Sequence, residues 1–158
     1  MRKTRLPARS HRRSRLKGAT LIEILVALLI LSFGVLGMAG LQARALKGNQ
    51  SAMHRTQAVM MSYYILDAMR VDRNNAKTLV YNSDTCNVDA VTGNDLVNNN
   101  LRHWIQSLKA TLGKAGDTTT CGAISCDADG VCQIQVRWDD TRAGGLEDQT
   151  ITTTNIKL

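Results

Sequence analysis

The sequence predicts an α+β protein: a long N-terminal helix, membrane-spanning in its first half and amphipathic in its second, packed on a small antiparallel β-sheet head. Three observations predict it. Residues Ile24 to Leu41 carry no charge over 18 positions. At ~1.5 Å per residue such a helix is ~27 Å long, close to the ~30 Å hydrocarbon core of a bilayer. Beyond it, apolar residues recur at spacings of three, four and seven as far as about Arg73, the period of an amphipathic helix. The last third of the chain instead alternates apolar and polar residues, as half-buried strands do.

The chain of 158 residues has room for one small domain plus an anchor. Its formal charge of +7 belongs to one end. Residues 1–18 hold Arg2, Lys3, Arg5, Arg9, Arg12, Arg13, Arg15 and Lys17 and no acid. The remaining twelve Lys and Arg meet 13 Asp and Glu, which leaves the rest of the chain at −1. A basic nucleic-acid-binding domain is therefore not supported. Basic residues beside a membrane helix stay on the cytoplasmic side, so residues 1–18 are expected inside and everything after about Leu41 outside. In a secretory signal peptide the apolar run precedes the cleavage site. Here it follows Gly18, so the anchor is expected to survive processing.

Glu23 is the anomaly of the apolar segment. An unpaired carboxylate in lipid costs a few kcal/mol and marks a functional position whose partner must be named. A cut after Gly18 would give Ala19 a free α-amino group about one helical turn from Glu23, a positive partner on the same chain or a neighbour.

The run Gly18-Ala19-Thr20-Leu21-Ile22-Glu23 resembles the processing motif of type IV prepilins and of the related pseudopilins of type II secretion. Ala19 stands where that family most often has phenylalanine. The continuation from Ile24 to Gln42 resembles the PilV type of minor pilin. The resemblance implies that prepilin peptidase cleaves between Gly18 and Ala19 and methylates Ala19. It implies that Glu23 serves subunit recruitment and helix register in a filament. It implies as partners the other minor pilins, the major pilin and an inner-membrane assembly platform.

The expected organisation is a cleaved cytoplasmic leader at 1–18, a transmembrane half-helix at 19–41, an amphipathic half-helix at 42–74 and a periplasmic head at 75–158. No proline interrupts the long helix, which at about 55 residues would run ~80 Å. Gly34, Gly37 and Gly40 weaken the second half of the anchor, at ~1 kcal/mol each against alanine. They suit either close helix packing and local unwinding, or the ordinary tolerance of glycine in membrane helices.

In the head, Asp72 to Asn75 is read as the helix exit and Thr78-Leu79-Val80-Tyr81 as a short strand or extended edge. Asn82 to Asp95, rich in Asn, Asp, Ser, Thr and Gly, reads as loop. Asn94 or Asp95 would cap a second helix whose face is Leu96, Val97, Leu101, Trp104, Ile105, Leu108 and Leu112, ending at Gly113. Gly122 to Trp138 reads as a hairpin turned at Asp127-Ala128-Asp129-Gly130. Thr150 to Ile156 is a final strand, and Asp139 to Asp148 is a connection too polar for the core. This order also resembles the PilV head.

Cys86, Cys121, Cys126 and Cys132 all lie in the part expected to be exported, where an even count reads as two disulfides. Four cysteines allow three connectivities. Cys86 with Cys121 and Cys126 with Cys132 is the favoured one.

No catalytic constellation is legible. The spacing of Cys121, Cys126 and Cys132 lacks the tight pairs of zinc sites. Asp127, Asp129 and Gly130 echo a calcium loop without its closing glutamate. His103 has no ligand or triad partner at useful spacing. No metal, cofactor or enzymatic activity is expected. The expected function is that of a minor pilin that primes assembly of a type IV pilus and joins its tip complex. The alternatives are a minor pseudopilin of a secretion or DNA-uptake system and, from another class, a single-pass membrane protein with a ligand-binding head.

Overall fold

The structure is a computed structural model that describes residues 18–157. The basic leader before Gly18 lies outside the described residues.

Helix α1, Leu21–Val71, opens the fold. It starts two residues later than a helix from Ala19, because Ala19 and Thr20 are not helical. The chain divides at Leu41 and Gln42 into two compact units. In the first, the large apolar side chains from Leu21 to Leu41 are all half or more exposed. Gly34, Gly37 and Gly40 leave the helix unbroken here.

In the second unit α1 buries Ala58, Ser62, Ile65, Leu66 and Met69 on one face. A short helix α2, Arg73–Lys77, follows. Thr78 to Tyr81 is not the strand its β-forming residues suggest. Val80 N–H donates to the Asn75 carbonyl (3.2 Å) and Leu79 N–H to that of Ala76 (3.2 Å). These are the two bonds of a Schellman close to α2, with Leu79 in the left-handed region at φ 65°.

The sheet is antiparallel, in the order β1-β2-β3-β4: β1 Ser83–Thr85, β2 Cys121–Cys126, β3 Val131–Trp138 and β4 Gln149–Lys157. Strand β1 and a 3₁₀ turn at Val88–Ala90 fall in the stretch read as loop. The strand arises by pairing, Ser83 to Thr85 lying opposite Ile124 to Gly122. Asn82 prolongs it with its side chain: Oδ1 accepts from Cys126 N–H (2.8 Å) and Nδ2 donates to the Cys126 carbonyl (3.1 Å).

Helix α3, Leu96–Leu112, begins at Asp95, whose carboxylate accepts from Asn98 N–H (2.9 Å) as an N-cap should. Trp104 and Ile105 press on β2 at Gly122, and Trp104 Nε1 donates to the Met61 carbonyl of α1 (2.9 Å). The alternation Cys132, Ile134, Val136, Trp138 faces this core, and all four are buried. The result is one apolar layer between the helices and one face of the sheet.

The connection from Asp139 to Asp148 corrects the sequence reading, since it is not wholly outside the core. Asp140 and Ala143 are each 1% exposed.

Candidate processing and assembly segment

The residues singled out at the N-terminus lie in a row. Gly18, Ala19 and Thr20 are exposed and without regular structure, and the helix begins directly after them. Glu23 N–H and Ile24 N–H both donate to the Thr20 carbonyl, at 3.0 and 3.2 Å. The peptide between Gly18 and Ala19 is thus presented outside the helical ladder. Nothing stands within 4 Å of a Cβ built on Gly18.

Glu23 falls in the first turn of α1, where the free N–H groups favour a carboxylate. It is exposed, and among the described residues it has no ion-pair partner. From Ile24 to Leu41 the helix offers apolar side chains in every direction. A helix that is hydrophobic all round needs a membrane or other helices around it. α1 is long and apolar enough to cross a bilayer.

In the head, Cys86 joins Cys121 and Cys126 joins Cys132, each pair with Cα atoms 4.0 Å apart. The first ties the segment after β1 to the start of β2. The second closes the β2–β3 hairpin, where the two residues are cross-strand partners. Within the hairpin turn, Asp127 Oδ1 accepts from the N–H groups of Asp129 (3.0 Å) and Val131 (2.8 Å). This Asx turn accounts for the residues that echo a calcium loop.

Two polar clusters escaped the sequence reading. Asp140 has a fully buried side chain that accepts from the Ser51 hydroxyl and meets His54 Nδ1 at 2.8 Å. Burial would raise this carboxyl, but the hydrogen bonds from Ser51 and His54 outweigh it and hold it below the usual carboxylate range. Nearby, Arg55 Nη2 donates to Gln149 Oε1 (2.8 Å). Asp117 takes Lys114 N–H and Thr120 N–H (both 2.8 Å), the Thr120 hydroxyl and Lys109 Nζ. Burial opposes its ionisation, yet the bonds from Lys114, Thr120 and Lys109 bring it down to about 2. Ser51 and His54 sit 89 and 86 residues from Asp140, a distance no local pattern reports. His103 is exposed.

A cleft of about 360 Å³ is bounded by Cys86, Val88, Lys109 and Asp117. Lys109 is already engaged with Asp117 there, so it offers no free amine for chemistry.

Residues 13–39 match the family model of the prokaryotic N-terminal methylation motif. That span brackets Gly18, Ala19 and Glu23. No curated protein and no solved structure matches the chain. The motif indicates a type IV pilin-like or pseudopilin-like protein, structural in kind, which implies processing by prepilin peptidase and assembly with pilin components. The architecture agrees: a long N-terminal helix whose second half packs with a four-stranded antiparallel sheet, in a pilin-like α+β arrangement.

Proposed function

We propose that the chain is a minor pilin of the PilV type, which waits in the inner membrane and then helps to prime a type IV pilus and its tip complex. The leader 1–18 stays in the cytoplasm, 19–41 spans the membrane, 42–74 holds the rest of α1, which ends at Val71, and 75–158 forms the periplasmic head. Peptidase cleaves between Gly18 and Ala19, and Ala19 is methylated. Leaving lipid for a bundle of like helices moves Glu23 into a low-dielectric setting. There an unmatched charge costs several kcal/mol and pairing with an N-terminal amine favours one register. The head supplies the choice of neighbouring minor pilins.

The observation that carries this reading is the conjunction of the methylation motif with the uncharged, all-round exposed helix behind it. A transmembrane anchor alone needs no glycine at its border and no carboxylate five residues beyond.

The test is mass spectrometry of the protein recovered from sheared pili. The expected product starts at N-methylated Ala19. An intact Met1, or a start elsewhere, would overturn the reading. Recovery from a secretion pseudopilus and not from pili would move the chain to that assembly.

A further inference from the structure

The four cysteines pair in chain order. Cys86 joins Cys121, 35 residues on, and Cys126 joins Cys132, 6 residues on. Of the three ways to pair four cysteines, this is the one whose loops neither nest nor cross. The finished head hides the sulfurs. Cys121 is 5% exposed, Cys126 7% and Cys132 1%, and Cys86 is left partly open. Cys126 and Cys132 belong to the apolar layer, and Trp104 and Ile105 press on Gly122 beside Cys121. Thiol–disulfide exchange needs one sulfur to reach another in the open. Both bonds are therefore made before α3 closes over β2.

A chain without its core has little structure to choose partners, so order of appearance chooses them. A chain appears N-terminus first at roughly 5–20 residues per second, whereas a loop of about ten residues closes in ~10–100 ns. Cys121 and Cys126 are thus together for about 0.3–1 s before Cys132 arrives. A free Cys121 would be joined to Cys126 in that interval, yet Cys126 is bonded to Cys132. Cys121 is already engaged by then, and Cys86 is the one cysteine ahead of it in the sequence.

We infer that Cys86 is the site at which a protein disulfide donor first attaches, as a mixed disulfide, and that the head is then oxidised in chain order with no isomerising step. The Cys86 thiolate attacks the donor's S–S bond. A Cys86–donor bond forms, and one donor sulfur leaves as a thiolate. The adduct waits while the next 35 residues emerge, roughly 2–7 s. The Cys121 thiolate then attacks Cys86 Sγ, which closes Cys86–Cys121 and releases the donor with both sulfurs reduced. Two electrons pass to the donor, and the two protons lost by the cysteine thiols match the two its thiols take up. A second donor molecule joins Cys126 and Cys132 in the same way. Outside the inner membrane the oxidant is a protein and not a small-thiol buffer. The inference rests on the placement of the head outside the membrane proposed above.

The test follows full-length protein pulse-labelled in cells, quenched in acid and blocked with N-ethylmaleimide. A transient, reductant-sensitive adduct of higher mass is expected. In Cys86→Ser it falls on Cys121 and waits only for Cys126, so it should be about sevenfold less abundant. In cells lacking a disulfide isomerase, peptide mapping of the wild type should still find Cys86–Cys121 and Cys126–Cys132. There Cys86→Ser should lose most of its Cys126–Cys132 bond to Cys121–Cys126. The double variant Cys86→Ser/Cys121→Ser should recover Cys126–Cys132, which separates mispairing from a failure to fold. An undiminished adduct or a native Cys126–Cys132 bond in Cys86→Ser would overturn the inference and leave the pilin reading standing. So would a wild type mispaired without the isomerase, or a double variant that stays unbonded. Four free thiols at every time point would place the head inside the cell and sink the functional reading with the inference.

Discussion

Leu79 holds a backbone conformation that a leucine adopts only under constraint. Its φ of 65° completes the close of α2, where the position after the cap is usually glycine. The left-handed region costs a residue with a Cβ about 1–2 kcal/mol. The side chain is 40% exposed, so removing it loses only part of its burial. Leu79→Gly should therefore leave stability within about 1 kcal/mol of wild type in a urea titration, since the relieved strain offsets the lost burial and the added freedom of the unfolded chain. Asp117 makes a second case at this scale. Its carboxyl sits at about 2 in the fold against an ordinary 3.8. Folded-state depression means that its contribution is present above about pH 4 and is lost as pH falls toward 2. Asp140 acts in the same direction. The urea midpoint should drop across that window, and Asp117→Asn should flatten the slope there. A midpoint indifferent to acid would contradict this account.

Among the elements, α3 was legible because its apolar face, its Asp95 cap and its glycine stop all agree. The β2–β3 hairpin was legible because a period-two run meets turn residues. The rest follows from contacts that sequence does not show. Thr78 to Tyr81 has strand-forming residues, but its N–H groups turn back to Asn75 and Ala76. Ser83–Thr85 has no strand pattern of its own and is a strand only because β2 lies beside it. Asp140 looked like solvent-facing loop because its partners, Ser51 and His54, come from a helix far away in sequence. The processing segment was the reverse case, legible because its residues are contiguous. Gly122 shows how tightly α3 meets the sheet. A Cβ there would lie 2.6 Å from two ring carbons of Trp104 and 2.9 Å from Ile105 Cδ1. Gly122→Ala should destabilise the head by about 1–3 kcal/mol, read as a lowered melting temperature. Wild-type stability would mean that the ring is free to move aside.

For the whole molecule, the role proposed for Glu23 would make the anchor a means of assembly as well as a tether. On the proposed reading Glu23→Ala is cleaved and methylated normally, because the cut lies between Gly18 and Ala19. The variant should then accumulate in the membrane and be missing from sheared pili on immunoblots. Ordinary amounts in pili would remove the assigned role.

Both disulfides lie within residues 86–132, and neither reaches α1. The covalent route from α1 to the sheet is the single stretch from Asp72 to Asn82. If the chain is assembled in a filament as proposed, tension would pull on α1, and the force would pass into the sheet by two routes in parallel. One is that stretch. The other is the shear resistance of the apolar layer, helped by the Ser51–Asp140, Arg55–Gln149 and Trp104–Met61 hydrogen bonds. Overload would load the contacts of α1 with the head without help from either disulfide, since neither cross-link reaches that helix.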